Sequence, residues 1–191
     1  GNKIWGNLIG TDITGIAAIP NRIGISVSNL VNNLEIGGNT ANHRNIISGN
    51  TTQGIQVNFS DSTDIYGNFV GTDISGTLAL GNGTNGIYIN NCDYTHIGNG
   101  TLAGANIISS NTENGIILSN GSDSTFIQHN YIGTDFSGLQ YLPNNSNGIY
   151  IRLNNTNSLI GGTNAGQGNF IANNLLRGIE VNSASALNHR I

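Results

Sequence analysis

The chain has 191 residues, 28 Gly, 34 Asn, a formal net charge of −4 and only 8% charged side chains. Charged residues make up about 25% of an ordinary soluble domain, so Asn, Ser, Thr and Gly must carry most of this surface. With six Lys and Arg in total and no apolar stretch long enough to span a bilayer, the composition argues against nucleic acid or a membrane as a partner.

In chain order, a short β-prone run ends at Ile4, a second run follows Asn7, and a third begins at Gly24. All three runs then return in the same order, and successive Gly-Ile runs start 29–33 residues apart. These Gly-Ile runs start at Gly24, Gly54, Gly86, Gly115, Gly148 and Gly178. Runs of the first kind end at Ile36, Ile65, Ile97, Ile127 and Ile160, with Ile4 and Ile191 as partial copies. Runs of the second kind start at Asn7, Asn45, Asn68, Asn106, Asn130 and Asn169.

Two longer motifs alternate along this pattern. In every second unit the Asn-led run is followed by one motif, in the forms GTDITG, GTDISG and GTDFSG. The units between them carry a second motif, in the forms RNIISGN, ANIISSN and GNFIANN. The connection from the first run to the second is tight in GTD units and long in the others. Two coil types of about 31 residues are therefore predicted to alternate.

Three short runs per unit, with alternating apolar positions and Gly or Asn at each corner, predict a right-handed parallel β-helix. We expect an all-β solenoid of about six coils, with three short strands per coil and two alternating coil types. It would form a single domain over residues 1–191, as a segment of a longer protein.

Stacked coils place equivalent residues above one another, about 4.8 Å apart. One inward column is predicted to contain Ile25, Ile55, Ile87, Ile116, Ile149 and Ile179. A second is predicted to contain Val27, Val57, Ile89, Leu118, Ile151 and Val181. The Asn before each second run should form a structural ladder in which each amide donates to one neighbour and accepts from the other. This ladder is predicted to contain Asn7, Asn45, Asn68, Asn106, Asn130 and Asn169.

The residue after each ladder Asn should point outward, yet it is always apolar. This outward stripe contains Leu8, Ile46, Phe69, Ile107, Tyr131 and Phe170. An exposed apolar stripe must be covered or used as a contact surface. We expect the GTD loops to fold back over it with their apolar residues Ile16, Ile19, Leu78, Leu80, Tyr141 and Leu142; the alternative is contact with another chain.

At its GTDxxG and NxISGN motifs the chain resembles bacterial right-handed parallel β-helix repeat proteins, which share the pectin-lyase-like fold. The resemblance covers essentially the whole chain and implies a large secreted or cell-surface protein. The same fold also hosts polysaccharide lyases, hydrolases, epimerases and phage tailspikes, so the resemblance does not decide the activity.

The acidic motifs that the resemblance implies for such enzymes are absent from this sequence. The nearest acid pair, Asp61 and Asp64, is interpreted as a solvated surface pair. Asp12, Asp73 and Asp135, one in each GTD loop, are interpreted as loop caps that accept backbone N–H bonds. Calcium held separately in each loop is the alternative, and no other cofactor is indicated.

The remaining reactive side chains do not form a motif. Cys92 stands alone and is expected in a loop or facing outward. His43 and His129 are placed at corners, His96 outward on a strand and His189 near the end, without zinc-ligand spacing.

One face of the predicted helix offers a candidate ligand surface. Tyr88 and Tyr150 are outward residues of Gly-Ile strands two coils apart, with Ile117 between them and Arg152 nearby. Their rings have the spacing to stack on sugar rings; the alternative is that Tyr simply suits an exposed strand.

No catalytic cluster is visible in the sequence. We therefore expect a structural or adhesive module at the cell surface or outside the cell, not an enzyme. It would pair with flanking repeats or associate with itself, end to end or laterally, into a fibre. A carbohydrate-binding module or polysaccharide-active enzyme on the same scaffold is the alternative.

Overall fold

A computed structural model of the chain describes residues 1–182 and 188–191. Within these residues, eighteen short strands, numbered in chain order, form three parallel sheets of six. Sheet I contains β1 (Lys3–Ile4), β4 (Glu35–Gly37), β7 (Asp64–Tyr66), β10 (His96–Ile97), β13 (Phe126–Ile127) and β16 (Leu159–Ile160). Sheet II contains β2 (Leu8–Ile9), β5 (Ile46–Ile47), β8 (Phe69–Val70), β11 (Ile107–Ile108), β14 (Tyr131–Ile132) and β17 (Phe170–Ile171). Sheet III contains β3 (Ile25–Ser28), β6 (Ile55–Asn58), β9 (Ile87–Asn90), β12 (Ile116–Ser119), β15 (Ile149–Arg152) and β18 (Ile179–Asn182).

Neighbouring strands in every sheet come from successive coils. Ile36, for example, is paired with Ile65, which is paired with Ile97, and the order of each sheet follows the chain without a break. The predicted fold class is confirmed: the chain is an all-β parallel solenoid of about six coils with three strands per coil. The Gly-Ile strands begin within a residue or two of their predicted positions.

The two alternating coil types differ in the connection from sheet I to sheet II. In two of the coils with a long connection, the chain makes a single 3₁₀ turn, at Ala41–His43 and at Leu102–Gly104. In the other type only two or three residues separate the strands, for example Gly67 and Asn68 between β7 and β8. Among the described residues, no helix has the length and apolar character needed to cross a membrane.

Branched aliphatic side chains fill the inside of the coils. Both predicted inward columns occur, because the register pairs each member with its counterpart in the next coil. Ile55, Ile87, Ile116 and Ile149 are all fully buried. Each such Ile stabilises the fold by about 1.5–3 kcal/mol relative to an exposed side chain. Stability is therefore distributed along the stack of coils.

A second, smaller apolar cluster lies outside sheet II. Ile46, Phe69 and Ile107 are buried there, with Tyr131 and Phe136 packed against them. These are members of the predicted outward stripe, so the GTD loops do cover its centre. At its two ends the stripe is partly open, since Leu8 and Phe170 are exposed.

Only part of the predicted cover is found, because Leu142 is buried and Leu80 half-buried, whereas the other predicted residues face solvent. Leu78 and Tyr141 point away and are 63% and 65% exposed, and Ile16 and Ile19 are exposed too. Phe136, directly after the loop Asp, supplies the contact instead, with its ring centroid 5.5 Å from that of Phe69.

The loop backbone itself completes the cover. At Gly76, with φ of +72°, a Cβ would come within 2.8 Å of the Phe69 ring and of Ile107 Cδ1. The second Gly of the GTDxxG motif thus lets the main chain lie directly on the stripe. Among the later apolar residues of this loop, Leu78 faces solvent and Leu80 is half-buried.

Cys92 lies in the loop between β9 and β10, as one of the two expectations had it, but it does not face outward, because its thiol is fully buried inside the coil. At the corner that follows sheet III, a small side chain points inward in successive coils. The Ser60 N–H donates to Cys92 Sγ at 3.5 Å, and the Cys92 N–H donates to Ser122 Oγ at 3.3 Å. Burial raises the pKa of the Cys92 thiol. Cys92 therefore occupies a structural position that Ser fills in the neighbouring coils.

Candidate functional site

The asparagines that precede sheet II stack in one column. The Nδ2 of each residue donates to the Oδ1 of the next at 2.8–3.1 Å, from Asn7 to Asn169. In the middle, Asn106 is fully buried and its Nδ2 also donates to the Ile65 carbonyl at 2.9 Å. Each interior amide is thus satisfied by the coils on either side, which fixes the coil spacing.

Two further amide ladders were not recognised in the sequence. A second ladder runs through Asn21, Asn50, Asn82, Asn111, Asn144 and Asn174, with Nδ2 to Oδ1 distances of 2.9–3.2 Å. A third joins Asn85, Asn114 and Asn147 at 2.9 and 3.0 Å. Both ladders could have been predicted from the repeat. Asn stands four residues before five of the six Gly-Ile runs, which marks the second ladder, and directly before three of them, which marks the third.

In each GTD loop the Asp carboxylate accepts hydrogen bonds from its own loop. We call Asp12, Asp73 and Asp135 the loop aspartates. Asp73 Oδ1 accepts the Leu78 N–H at 3.0 Å and the Ser75 hydroxyl at 2.7 Å, and Asp12 and Asp135 accept similar bonds.

These bonds affect the charge state of the loop aspartates. The Thr14 hydroxyl and the Ala17 N–H lower the pKa of Asp12. Burial alone would raise the pKa of Asp73, but the bonds from Ser75 and Leu78 outweigh it and the pKa is lowered. The same balance, with Ser137 as the main donor, lowers the pKa of Asp135. All three are anionic loop caps at neutral pH.

The candidate ligand surface lies on sheet III. Tyr88, Ile117 and Tyr150 are in register on neighbouring strands. Ile117 is only 3% exposed, because it lies between the two partly buried Tyr residues. Arg152 Nε donates to Ser119 Oγ at 3.4 Å, and the Tyr150 hydroxyl accepts from Asn182 at 3.3 Å. We call this surface the tyrosine face.

Sheet I brings together charged side chains that are far apart in the sequence. Lys3, Glu35, Asp64 and His96 are directly in register on four successive strands and form one outward column. The Lys3 ammonium lies 3.6 Å from Glu35, and His96 Nδ1 lies 2.8 Å from Asp64 Oδ1. Asp64 thus pairs with His96, and not with its sequence neighbour Asp61.

Glu35 is the most strongly hydrogen-bonded member of this column. Trp5 Nε1 donates to Glu35 Oε1 at 2.8 Å, and the Tyr66 hydroxyl also donates to Glu35. Burial, this bond and the nearby charges of Glu35 and Asp64 raise the pKa of Tyr66 to about 12. Tyr66 therefore remains a neutral donor throughout the physiological range.

The column lies in a groove. A cavity of about 310 Å³ is lined by Glu35, Asp64, Tyr94 and His96, and a second of about 340 Å³ lies beyond, against Tyr66 and Gln128. Asp64 and His96 belong to both cavities. Gly98 also lines the second cavity, and at its φ of +75° a Cβ would clash with the Gln128 carbonyl oxygen. We call this feature the sheet I groove.

Asp61 belongs to a separate acidic column at the corner between sheets III and I. The Asp93 N–H donates to Asp61 Oδ1 at 2.9 Å, and the Asp123 N–H donates to Asp93 Oδ1 at 3.1 Å. Each carboxylate therefore helps to join two coils through the backbone. Within the described ranges, no three His, Cys, Asp or Glu side chains are grouped so that they could hold a metal ion.

The other histidines have separate neighbours. His43 stacks on Trp5 with ring centroids 4.0 Å apart, and the His129 ring lies 6.3 Å from that of Tyr131. His189 Nδ1 accepts the Ser158 N–H at 3.3 Å.

No protein-family model matches the chain, and searches of curated proteins and of solved structures find no match either. The structure is consistent with a β-helix repeat protein at the level of the fold.

Proposed function

We propose that the chain is a structural module of a secreted or cell-surface protein, of the repeat-rich kind that its motifs resemble. Unbroken strand register in all three sheets supports this role most directly. The amide ladders hold neighbouring coils at one spacing, and the apolar core is continuous along the stack. Such a body acts as a stiff spacer that presents its outer faces at fixed intervals.

Location is the first test of this proposal. Immunogold labelling of producing cells, with an antibody against the chain, should place the protein on the cell surface or in the medium. Antibody pre-adsorbed with purified chain is the control. Labelling confined to the cytoplasm would contradict the proposal.

Self-association is the second part of the proposal. Among the described residues, the outer strands of sheets II and III are each paired on one side only, whereas β16 of sheet I is also bridged to Arg190 through Leu159. A strand edge that is open in this way can accept a further coil from the same or another protein. Electron microscopy over a hundredfold concentration range should show rods longer than one chain. Single short rods at every concentration would remove this part.

A polysaccharide-active enzyme is the second candidate function. Glu35 and Asp64 lie on adjacent strands, about 4.8 Å apart in backbone spacing, and glycoside hydrolysis uses two carboxyl groups in this range. The scaffold role is favoured because Glu35 is already bonded to Trp5, Lys3 and Tyr66. Release of reducing ends from a panel of polysaccharides, lost in the Asp64→Asn variant, would establish the enzyme instead.

A further inference from the structure

We propose that a cavity outside sheet II binds a small aromatic carboxylate. This site lies apart from the sheet I groove and the tyrosine face, and it does not depend on the scaffold role.

The cavity lies at one open end of the outward stripe. Its volume is about 540 Å³, and small-molecule sites in proteins have volumes of about 300–1,000 Å³. Leu8, Ile46 and Ile74 supply its apolar surface, and Asn42 and Arg44 supply polar groups. Leu8 and Ile74 are 37% and 48% exposed. A ligand with an apolar body that covers them removes this surface from water, which favours binding.

Comparison of the GTD loops explains why this space exists. The residue after the loop aspartate is Phe136 in the third loop but Ile74 in the second. The Phe136 ring contacts those of Phe69 and Tyr131, with centroids 5.5 and 5.1 Å apart. At the second loop both the loop residue, Ile74, and its neighbour in the stripe, Leu8, are aliphatic. The ligand ring therefore takes the place that the Phe136 ring takes two coils further along.

Arg44 gives the cavity a positive charge without an acidic partner. Its guanidinium carbon lies 4.2 Å from the Phe69 ring centroid, and its Nε donates to the Gly67 carbonyl at 3.2 Å. Within the described part of the chain, neither Nη atom donates a hydrogen bond and no ion pair includes Arg44. None of the described residues that line the cavity is acidic. A carboxylate in the cavity can accept from both Nη groups at once.

Partial burial strengthens the attraction of Arg44 for an anion. The side chain is half-buried, and burial lowers the pKa of its guanidinium. A guanidinium nevertheless remains protonated at neutral pH. Its charge interacts more strongly with an anion here than in bulk water, because the local dielectric constant is lower.

The two features together define the ligand class. An inorganic anion pairs with Arg44 but leaves Leu8 and Ile74 exposed. A neutral aromatic molecule covers these residues but leaves the Nη groups without an acceptor. A ring joined to a carboxylate satisfies both parts of the cavity.

Isothermal titration calorimetry of the intact chain tests this site with benzoate, phenylacetate and cinnamate. At least one of these carboxylates should bind. Cinnamyl alcohol, which lacks the charge, and sulfate, which lacks the ring, should each bind at least tenfold more weakly. Arg44→Gln should weaken binding of the carboxylate at least tenfold. Arg22→Gln removes the same charge at an exposed residue outside the cavity lining, and its affinity should stay within twofold of the unmodified chain.

Filling the cavity is the second test. Ile74→Phe introduces at the second loop the ring that Phe136 supplies at the third, so it should abolish binding without lowering the thermal midpoint. Leu78→Phe is the matched control, because Leu78 is an exposed residue of the same loop and does not line the cavity. This control should bind within twofold of the unmodified chain.

Three results would overturn the site: no binding of any of the three carboxylates, equal affinity for cinnamyl alcohol and cinnamate, or unchanged affinity in Ile74→Phe. A measurement on the unmodified chain guards against misfolded variants. On titration with the bound carboxylate, amide NMR shifts should concentrate at residues 6–8, 41–46 and 74. Shifts confined to sheets I and III would also count against the site. Because immunogold labelling tests the scaffold role separately, failure of one proposal is distinguishable from failure of the other.

Discussion

Replacing Asn106 by Ala tests whether the first asparagine ladder stabilises the stack. Its Oδ1 accepts the backbone N–H and the Nδ2 of Asn68, at 2.9 and 3.1 Å. Its Nδ2 donates to Asn130 Oδ1 at 2.8 Å and to the Ile65 carbonyl. The Ile65 carbonyl keeps a second donor, the Gly98 N–H. The substitution therefore leaves two buried groups without a partner, the Asn68 N–H and the Asn130 Oδ1.

Each orphaned buried group costs about 1–3 kcal/mol, so the free energy of unfolding should fall by about 2–6 kcal/mol. With an m-value of about 2 kcal/mol/M, the urea midpoint should fall by roughly 1–3 M. Equilibrium unfolding followed by far-UV circular dichroism measures this shift.

Asn7→Ala is the matched control, because Asn7 is exposed and its loss orphans no buried group. Asn45 Oδ1 still accepts the N–H of residue 7. The control should change the free energy of unfolding by less than about 1 kcal/mol. Equal shifts for the two variants would refute the idea that interior amide pairing holds the coils.

Three other changes have defined outcomes. Loop hydrogen bonds lower the pKa of the loop aspartates in the folded chain. The ionised aspartates therefore stabilise the folded chain above the unfolded pKa of about 3.9, and this stabilisation is lost as the pH falls through the lowered folded pKa. Thermal midpoints between pH 2 and 7 should show this loss, and replacing all three by Asn should flatten the profile. Cys92→Ser should change the free energy of unfolding by less than about 1 kcal/mol. In the folded chain, Cys92 should resist a thiol reagent that labels it in urea. Rapid labelling of the folded chain would contradict its burial. Phe136→Ala should lower the free energy of unfolding by about 2 kcal/mol, because it opens the apolar cluster outside sheet II. Tyr141→Ala, at an exposed residue, should lower it by less than about 0.5 kcal/mol. Equal losses in the two variants would contradict the assignment of Phe136 as the cover.

The strands and core columns could be predicted from the sequence because the repeat is local. A Gly followed by Ile marks each strand of sheet III, and the β-branched residues alternate inward. The predictions that failed were those that depended on the direction of side chains in loops and at corners. The cover over Phe69 comes from Phe136 and the Gly76 backbone, and Cys92 turns inward, since three-dimensional turn geometry decides both.

The sheet I groove was missed for a different reason. Lys3, Glu35, Asp64 and His96 are each about 30 residues from the next and share no local motif. They meet only because four strands are in register, and a register shift of one residue would direct them inward. The column becomes visible in the sequence only when each coil is aligned beneath the previous one at its sheet I strand.

The regularity of the coils also determines the pattern of the outer surface. The amide ladders keep successive coils in register, so an outward position repeated in each coil becomes a row of side chains at nearly constant spacing. Along such a row, one substitution changes the surface without disturbing the core. Glu35 in β4 and Asp64 in β7 point outward, while the next residue in each strand, Ile36 or Ile65, points into the interior. The outer column of charged residues on sheet I can therefore vary in sequence while the apolar columns beside it stay unchanged.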